Sequence, residues 1–173
     1  MVNVLLSLGS NLQPRHHLRQ AVAALRQRFG DDIVVSRAYR TPAVGFEGPD
    51  FLNNAVSLHT DMELGELDAW LHALEDAHGR DRSGPRFADR TLDLDIVFYG
   101  DRIADGPGHL RIPRPELRHA FVLRPLAEIA PDFVDPLSGR TLAELWRAHP
   151  DHGRHFDAVP LDGQGADWPV HAA

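Results

Sequence analysis

The chain is 173 residues long, 43% hydrophobic, free of cysteine, and carries a formal charge of −7. That length and apolar content suit one compact domain and leave little room for two, while the lack of cysteine excludes disulfides and thiolate metal sites. The acidic balance argues against general nucleic-acid binding, which leaves a basic footprint, and no run of 18 apolar residues is present to span a membrane.

Met1 to Gly9 has no basic flank and no cleavage-like site, so residues 2–8 read as a buried first strand and not as a signal peptide. A cytoplasmic protein is expected. Gly9-Ser10-Asn11 marks a turn. Pro14 opens a helix, Leu18, Val22, Leu25 and Phe29 give it an apolar stripe, and Gly30 ends it. Residues 33–40 read as a strand. Thr41 to Asp50 holds two prolines and two glycines, so it is a loop of about ten residues, a length often reserved for function. Phe51 to His59 alternates as a strand, with Leu52, Val56 and Leu58 facing the core and Phe51 and Asn53 on the other face. Asp61 is the expected cap of a second helix striped by Leu64, Leu67, Leu71 and Leu74, with Gly79 just past its end. Residues 80–90 form a loop with four arginines, residues 91–99 a strand, and helical stretches follow around 120–130 and 141–149. Residues 1–150 are expected to form the single domain and 151–173 a polar surface tail. The order strand, helix, strand, strand, helix, strand is the split βαβ pattern of a ferredoxin-like α+β fold, an antiparallel sheet with helices packed on it.

The chemistry sits in Arg90-Thr91-Leu92-Asp93-Leu94-Asp95-Ile96. With a period of two, Leu92, Leu94 and Ile96 share one face, and Asp93 and Asp95 share the other, roughly 6–7 Å apart along the strand. Carboxylates so close repel unless a cation sits near both. Two carboxylates together with substrate phosphates are the usual home of Mg²⁺. Taken alone, the pair also fits the solvated face of an edge strand. Two features weigh against that reading: aspartate is a poor strand former, and the arginine loop runs directly into this strand. All 18 basic residues are arginine, which excludes the lysine of a Gly-x-x-x-x-Gly-Lys phosphate loop, the strand lysine of protein kinases and a Schiff-base lysine. A high-arginine coding bias accounts for the count equally well, and the exclusion holds either way. If the chain handles phosphate, it does so with arginine, whose planar fork suits paired oxygens.

Five motifs in the right order resemble the 6-hydroxymethyl-7,8-dihydropterin pyrophosphokinases of folate biosynthesis. They are Gly9-Ser10-Asn11, Tyr39-Arg40-Thr41-Pro42, Phe51-Leu52-Asn53-Asn54-Ala55-Val56, the Gly79-Arg80 to Ile96 block, and Phe121-Val122-Leu123 through Pro131. The resemblance spans about residues 2–135. It implies transfer of diphosphate from ATP to the hydroxymethyl group of the dihydropterin, releasing AMP. It places two Mg²⁺ ions on Asp93 and Asp95, and gives Asp95, Arg80 and Arg90 catalytic roles. Arg82 matches a loop arginine that closes over the site. The pterin pocket it implies comprises Thr41, Pro42, Val44, Asn53, Phe87 and Phe121; Phe87 stands where the family often has tryptophan. On the ATP side it places His72, Glu75, Arg80, Arg82, Arg90, Ile96, Arg114, Arg118 and His119. The partners implied are thus ATP and the hydroxymethyl-dihydropterin, handled by a monomer.

Three positions depart from the family pattern. Arg114 replaces a histidine that contacts ATP phosphate, and the stretch Pro113 to Phe121 is one residue short. That puts His119 at an arginine position, with Arg118 one residue earlier as its substitute. Asp89 stands where the family prefers proline. Retained pyrophosphokinase chemistry is the expectation. The alternatives are a paralogue with altered or lost activity that binds a related pterin or nucleotide, and a non-catalytic ferredoxin-like binding module.

Overall fold

The computed structural model describes residues 1–43, 45–79, 91–106 and 108–159. Its centre is an antiparallel sheet of β1 (Val2–Ser10), β2 (Val34–Val35), β3 (Ala38–Thr41), β4 (Phe51–Thr60), β5 (Asp93–Tyr99) and β8 (Ala158–Val159), ordered β5-β1-β4-β3-β8 with β2 also on β4. A separate hairpin pairs β6 (Ala104–Asp105) with β7 (Arg111–Ile112). The helices are α1 (Pro14–Phe29), α2 (Leu64–Ala77), α3 (Ala120–Ile129) and the short α4 (Leu142–Arg147). The expected ferredoxin-like α+β arrangement is what forms. Among the described residues, no helix is long and apolar enough to cross a membrane.

Both faces of the sheet are covered, and this explains why β1 reads as a nearly continuous apolar run. One face, carrying Leu6, Leu8, Leu52, Val56, Leu94 and Ile96, packs under α1 and α2. The α2 stripe of Leu64, Leu67 and Leu71 is fully enclosed there, each leucine contributing about 1.5–3 kcal/mol. The opposite face carries Leu5, Ala55, Val97 and Phe98 under α3 and α4. Val97 and Phe98, though consecutive, share this cluster because the β1–β5 register skips a residue between Leu5 and Leu6. Such a bulge inserts one extra residue and turns the strand. It lies just past Asp95 and marks where the open end of this face gives way to the covered end.

Four local expectations change. The strand expected over 33–40 is split, because the Ser36 hydroxyl accepts the Ala55 N–H at 2.8 Å and the Arg37 N–H turns away to donate to Glu128 at 2.7 Å. Asp61 does not cap α2. That helix begins at Leu64 with Glu63 at its N-cap and no side-chain cap, while the Thr60 hydroxyl accepts the Met62 N–H. The tail expected from 151 returns to the sheet, where Ala158 and Val159 pair with Tyr39 and Ala38; residues 160–173 lie outside the described residues. The helix near 141–149 is only Leu142–Arg147, started by a reciprocal Thr141–Glu144 capping box.

Glu128 of α3 is the polar tie between this layer and β3. Its buried carboxylate accepts from the Arg37 N–H, from the Arg37 guanidinium at 2.8–2.9 Å and from the Tyr39 hydroxyl. Burial first, and then this bond, push the Tyr39 hydroxyl up to about 12. Glu128→Ala leaves three donors without their acceptor. It is expected to lower unfolding free energy by about 2–3 kcal/mol, read from urea unfolding; a loss below about 0.5 kcal/mol would contradict this role.

Candidate active site

The site grows out of strand register. Gly9 pairs with Asp93 on one side and Asn53 on the other, and Asn53 pairs in turn with Tyr39. One row therefore crosses four strands on the face that α3 covers only in part, in the order Asp93, Gly9, Asn53, Tyr39. The next row holds Asp95, Ser7 and Ala55. Strands lie about 4.8 Å apart, so Asp93 and Asn53 stand about 10 Å apart across a glycine floor. A Cβ on Gly9 would approach the Asn53 Oδ1 to 2.9 Å and the Phe51 ring to 3.8 Å. A side chain at this position would displace the Asn53 amide.

The two aspartates fall on the same face, as the alternation predicts. The Asp95 side chain is 26% exposed. Burial, and next the Asp93 carboxylate, push its carboxyl well above the usual range, while Arg114 works the other way. A carboxylate in that position gains from any nearby cation. Arg114 is one: its Nη2 lies 3.3 Å from the Asp95 Oδ1, and its Nε lies 3.3 Å from Glu116. The backbone sets this up, since the Arg114 N–H donates to the Val97 carbonyl at 3.0 Å and clips the segment after β7 onto β5.

On the other side of Gly9, the Asn53 amide is buried and donates to the Thr41 hydroxyl at 2.8 Å. Phe46 and Phe51 meet edge to face at 6.4 Å beside it. The Asn11 amide donates to the Pro49 carbonyl at 3.2 Å, which ties the first turn to the 41–50 loop. Pro42 is exposed at the start of that loop. At the start of α3, the His119 and Phe121 rings stack at 5.0 Å and 10°. Burial, then Arg118, push the His119 imidazole down, toward the neutral form.

Several expected positions move. Glu75 is buried and accepts the Leu94 N–H at 2.7 Å, so it caps the outer edge of β5 between the two aspartates instead of presenting an open helical face to a nucleotide. The Ile96 side chain is in the core under α2, on the opposite face from Asp93 and Asp95. The Arg118 side chain is exposed, and its carbonyl takes part in a 2.7 Å contact with His149. His72 lies beside Asp68 and His109. Val44, Arg80, Arg82, Phe87 and Arg90 lie outside the described residues. A cavity of about 920 Å³ is walled by Arg114 and Arg118 together with Leu137, Leu145 and His149, but Asp93, Asp95 and Asn53 do not line it. Gly9, Phe46 and Phe51 were not anticipated as site residues; the register of β1 against β4 reveals Gly9, and the contacts of the Phe51 ring with the Gly9 position and with Phe46 reveal the other two.

The family described as 7,8-dihydro-6-hydroxymethylpterin-pyrophosphokinase (HPPK) matches residues 5–131. A protein of Synechocystis sp. called 2-amino-4-hydroxy-6-hydroxymethyldihydropteridine pyrophosphokinase is 43% identical over 141 residues, which cover 80% of this chain and 71% of that one. One of the same name from Pseudomonas aeruginosa is 40% identical over 155 residues, covering 87% and 93%. Among solved structures, Plasmodium falciparum HPPK-DHPS superposes with a TM-score of 0.62 at 12% identity, over 84% of this chain. This chain spans 44% of that longer protein, and at such low identity the likeness concerns the fold. The sequence matches carry the assignment: this chain belongs to the 7,8-dihydro-6-hydroxymethylpterin-pyrophosphokinase family.

Proposed function

We propose that the protein transfers a diphosphate group from ATP to the hydroxyl of 6-hydroxymethyl-7,8-dihydropterin, giving AMP and the pterin diphosphate in folate biosynthesis. The observation that carries this reading is the row Asp93–Gly9–Asn53, with Asp95 and Arg114 beside it. One side offers carboxylates and a guanidinium to a polyphosphate, and the other offers an amide beside two aromatic rings to a flat heterocycle. Gly9 lets the two meet.

The pterin hydroxyl oxygen attacks the β-phosphorus, the bond from that phosphorus to the α–β bridging oxygen breaks, and AMP leaves with the electron pair. The hydroxyl loses its proton as the new bond forms, and Asp95 is the proposed acceptor. The donor set fits Mg²⁺: two carboxylates on one strand, all-oxygen and close enough to need a cation. Two such ions, held by Asp93 and Asp95, would neutralise the triphosphate and align it for in-line attack. The Asn53 amide would hold the polar edge of the pterin, and Phe121 would stack on its ring with His119 behind. Arg114 would turn from Asp95 to a phosphate oxygen, and Arg80, Arg82 and Arg90 would engage the phosphates by the family match. The protein is proposed to act as a monomer in the cytoplasm. A paralogue without the reaction has no observation in its favour, because Arg114 keeps a cation at the position of the missing histidine.

The test is incubation of the purified protein with ATP, Mg²⁺ and 6-hydroxymethyl-7,8-dihydropterin. AMP release dependent on all three is expected, and release no greater than without the pterin would overturn the proposal. Gly9→Ala probes the pterin side. Its methyl group displaces the Asn53 amide, so the KM for pterin is expected to rise by about tenfold or more, equal to the loss of one hydrogen bond to a buried group. An unchanged pterin KM would remove the glycine floor from the account.

A further inference from the structure

Away from the carboxylate row, α2 and the segment leading into β7 bring together Asp68, His72 and His109. Asp68 and His72 are four residues apart and so share a helical face; His109 reaches them from just before β7. The Nε2 of His72 lies 3.7 Å from the Asp68 Oδ1, and the Nε2 of His109 lies 3.6 Å from the same oxygen. The two imidazoles lie face to face, with centroids 5.0 Å apart and planes at 27°. One donor atom from each residue falls within 4.8 Å of the other two.

Those separations are longer than a hydrogen-bonded pair and close to the ligand spacing of an ion site. A hydrogen bond from an imidazole nitrogen to this oxygen would bring them to about 2.7–3.2 Å, and neither histidine comes that close. Around an ion bound at about 2.1 Å in tetrahedral geometry, neighbouring ligand atoms stand about 3.4 Å apart. The Asp68 oxygen stands about 0.2–0.3 Å outside that spacing from the two nitrogens, at 3.7 and 3.6 Å, a small rotamer adjustment away. The donors are two imidazole nitrogens and one carboxylate oxygen, a set that suits zinc and its late first-row neighbours and is poor for Mg²⁺. Partial exposure, with side chains 20% open at Asp68, 35% at His72 and 57% at His109, leaves an entry path.

We propose that Asp68, His72 and His109 form a second metal site, distinct from Asp93 and Asp95, that binds one late first-row divalent ion such as Zn²⁺ through two imidazoles and one carboxylate, with the fourth position left to water. Occupancy ties α2 to the start of β7, the strand that delivers Arg114 to Asp95. His72, matched above to the nucleotide side, thereby gains a role of its own.

The test is a Co²⁺ titration of the full chain in excess Mg²⁺, followed by visible absorption. One Co²⁺ per chain with the intense bands of a tetrahedral site is expected, displaced by Zn²⁺. His109→Ala removes a largely exposed side chain and is expected to keep the fold, checked by circular dichroism, while weakening Co²⁺ binding by at least about tenfold. Asp68→Asn is expected to do the same. The Asp93→Asn, Asp95→Asn double variant is expected to retain the bands, which separates this site from the reaction centre. Absence of tetrahedral bands, or bands of equal affinity in His109→Ala, would overturn the site whatever the outcome of the pyrophosphokinase assay.

Discussion

Replacing Asp95 by asparagine is expected to lower turnover by roughly a thousandfold or more, the scale of losing a metal ligand and a point of charge stabilisation together. The fold should survive. Asp95 sits at a partly open end of β5 with Asp93 two residues away on the same face, and burial and then the Asp93 carboxylate raise the cost of charging Asp95. Neutralising one relieves that repulsion, so unfolding free energy is expected to hold or rise slightly even though Arg114 loses its partner. The readouts are kcat and a urea transition on the same preparation. Turnover within tenfold of the parent would remove the metal assignment. Lost turnover with a lost fold would instead make Asp95 structural.

Arg114 carries the second large effect. The family resemblance sets it at a histidine position, and its guanidinium lies 3.3 Å from Asp95 and 3.3 Å from Glu116. An arginine seated on the carboxylate proposed to hold metal would have a simple use when nucleotide arrives: with Asp95 engaged by the ion, the guanidinium would be released to a phosphate oxygen. A hydrogen bond to a charged group contributes about 1.5–3 kcal/mol, so Arg114→Ala is expected to raise the KM for ATP by about ten- to a hundredfold. The pterin KM should be little altered, because Asn53 lies two strands from β5. Arg114→His restores a donor and should recover part of the loss. An ATP KM within twofold of the parent in Arg114→Ala would leave Arg114 as a structural ion pair with Glu116 and Asp95.

The long elements were legible in the sequence because their apolar periods are clean. Leu18, Val22 and Leu25 mark α1, and Leu64, Leu67 and Leu71 mark α2. The Asp93 and Asp95 alternation was legible for the same reason. What stayed hidden depends on partners far apart in the chain. Ser36 breaks a strand because its hydroxyl stands in for a backbone acceptor to Ala55, and Arg37 is drawn off by Glu128, 91 residues away. Ala158 and Val159 are too short a strand to announce themselves, and their place is set by the edge β3 presents. Glu75 reads as an outward helical residue until the free edge of β5 supplies the Leu94 N–H that draws it inward. The family match placed Ile96 with the nucleotide, yet the same alternation that exposes the aspartates turns its side chain into the core. The function of Gly9 is invisible in the chain order, since it arises only where β1 runs between Asp93 and Asn53.

The two aspartates and the Asn53 side of one sheet face are proposed to cooperate in moving a diphosphate onto a pterin alcohol. The measurement that tests this most directly follows the β-phosphorus of ATP. With ATP labelled at that phosphorus, Mg²⁺ and 6-hydroxymethyl-7,8-dihydropterin, the label is predicted to appear in the pterin diphosphate, with unlabelled AMP formed in equal amount and neither product formed by the Asp95→Asn protein. Label recovered in ADP or inorganic phosphate while the pterin remains unmodified would contradict the account.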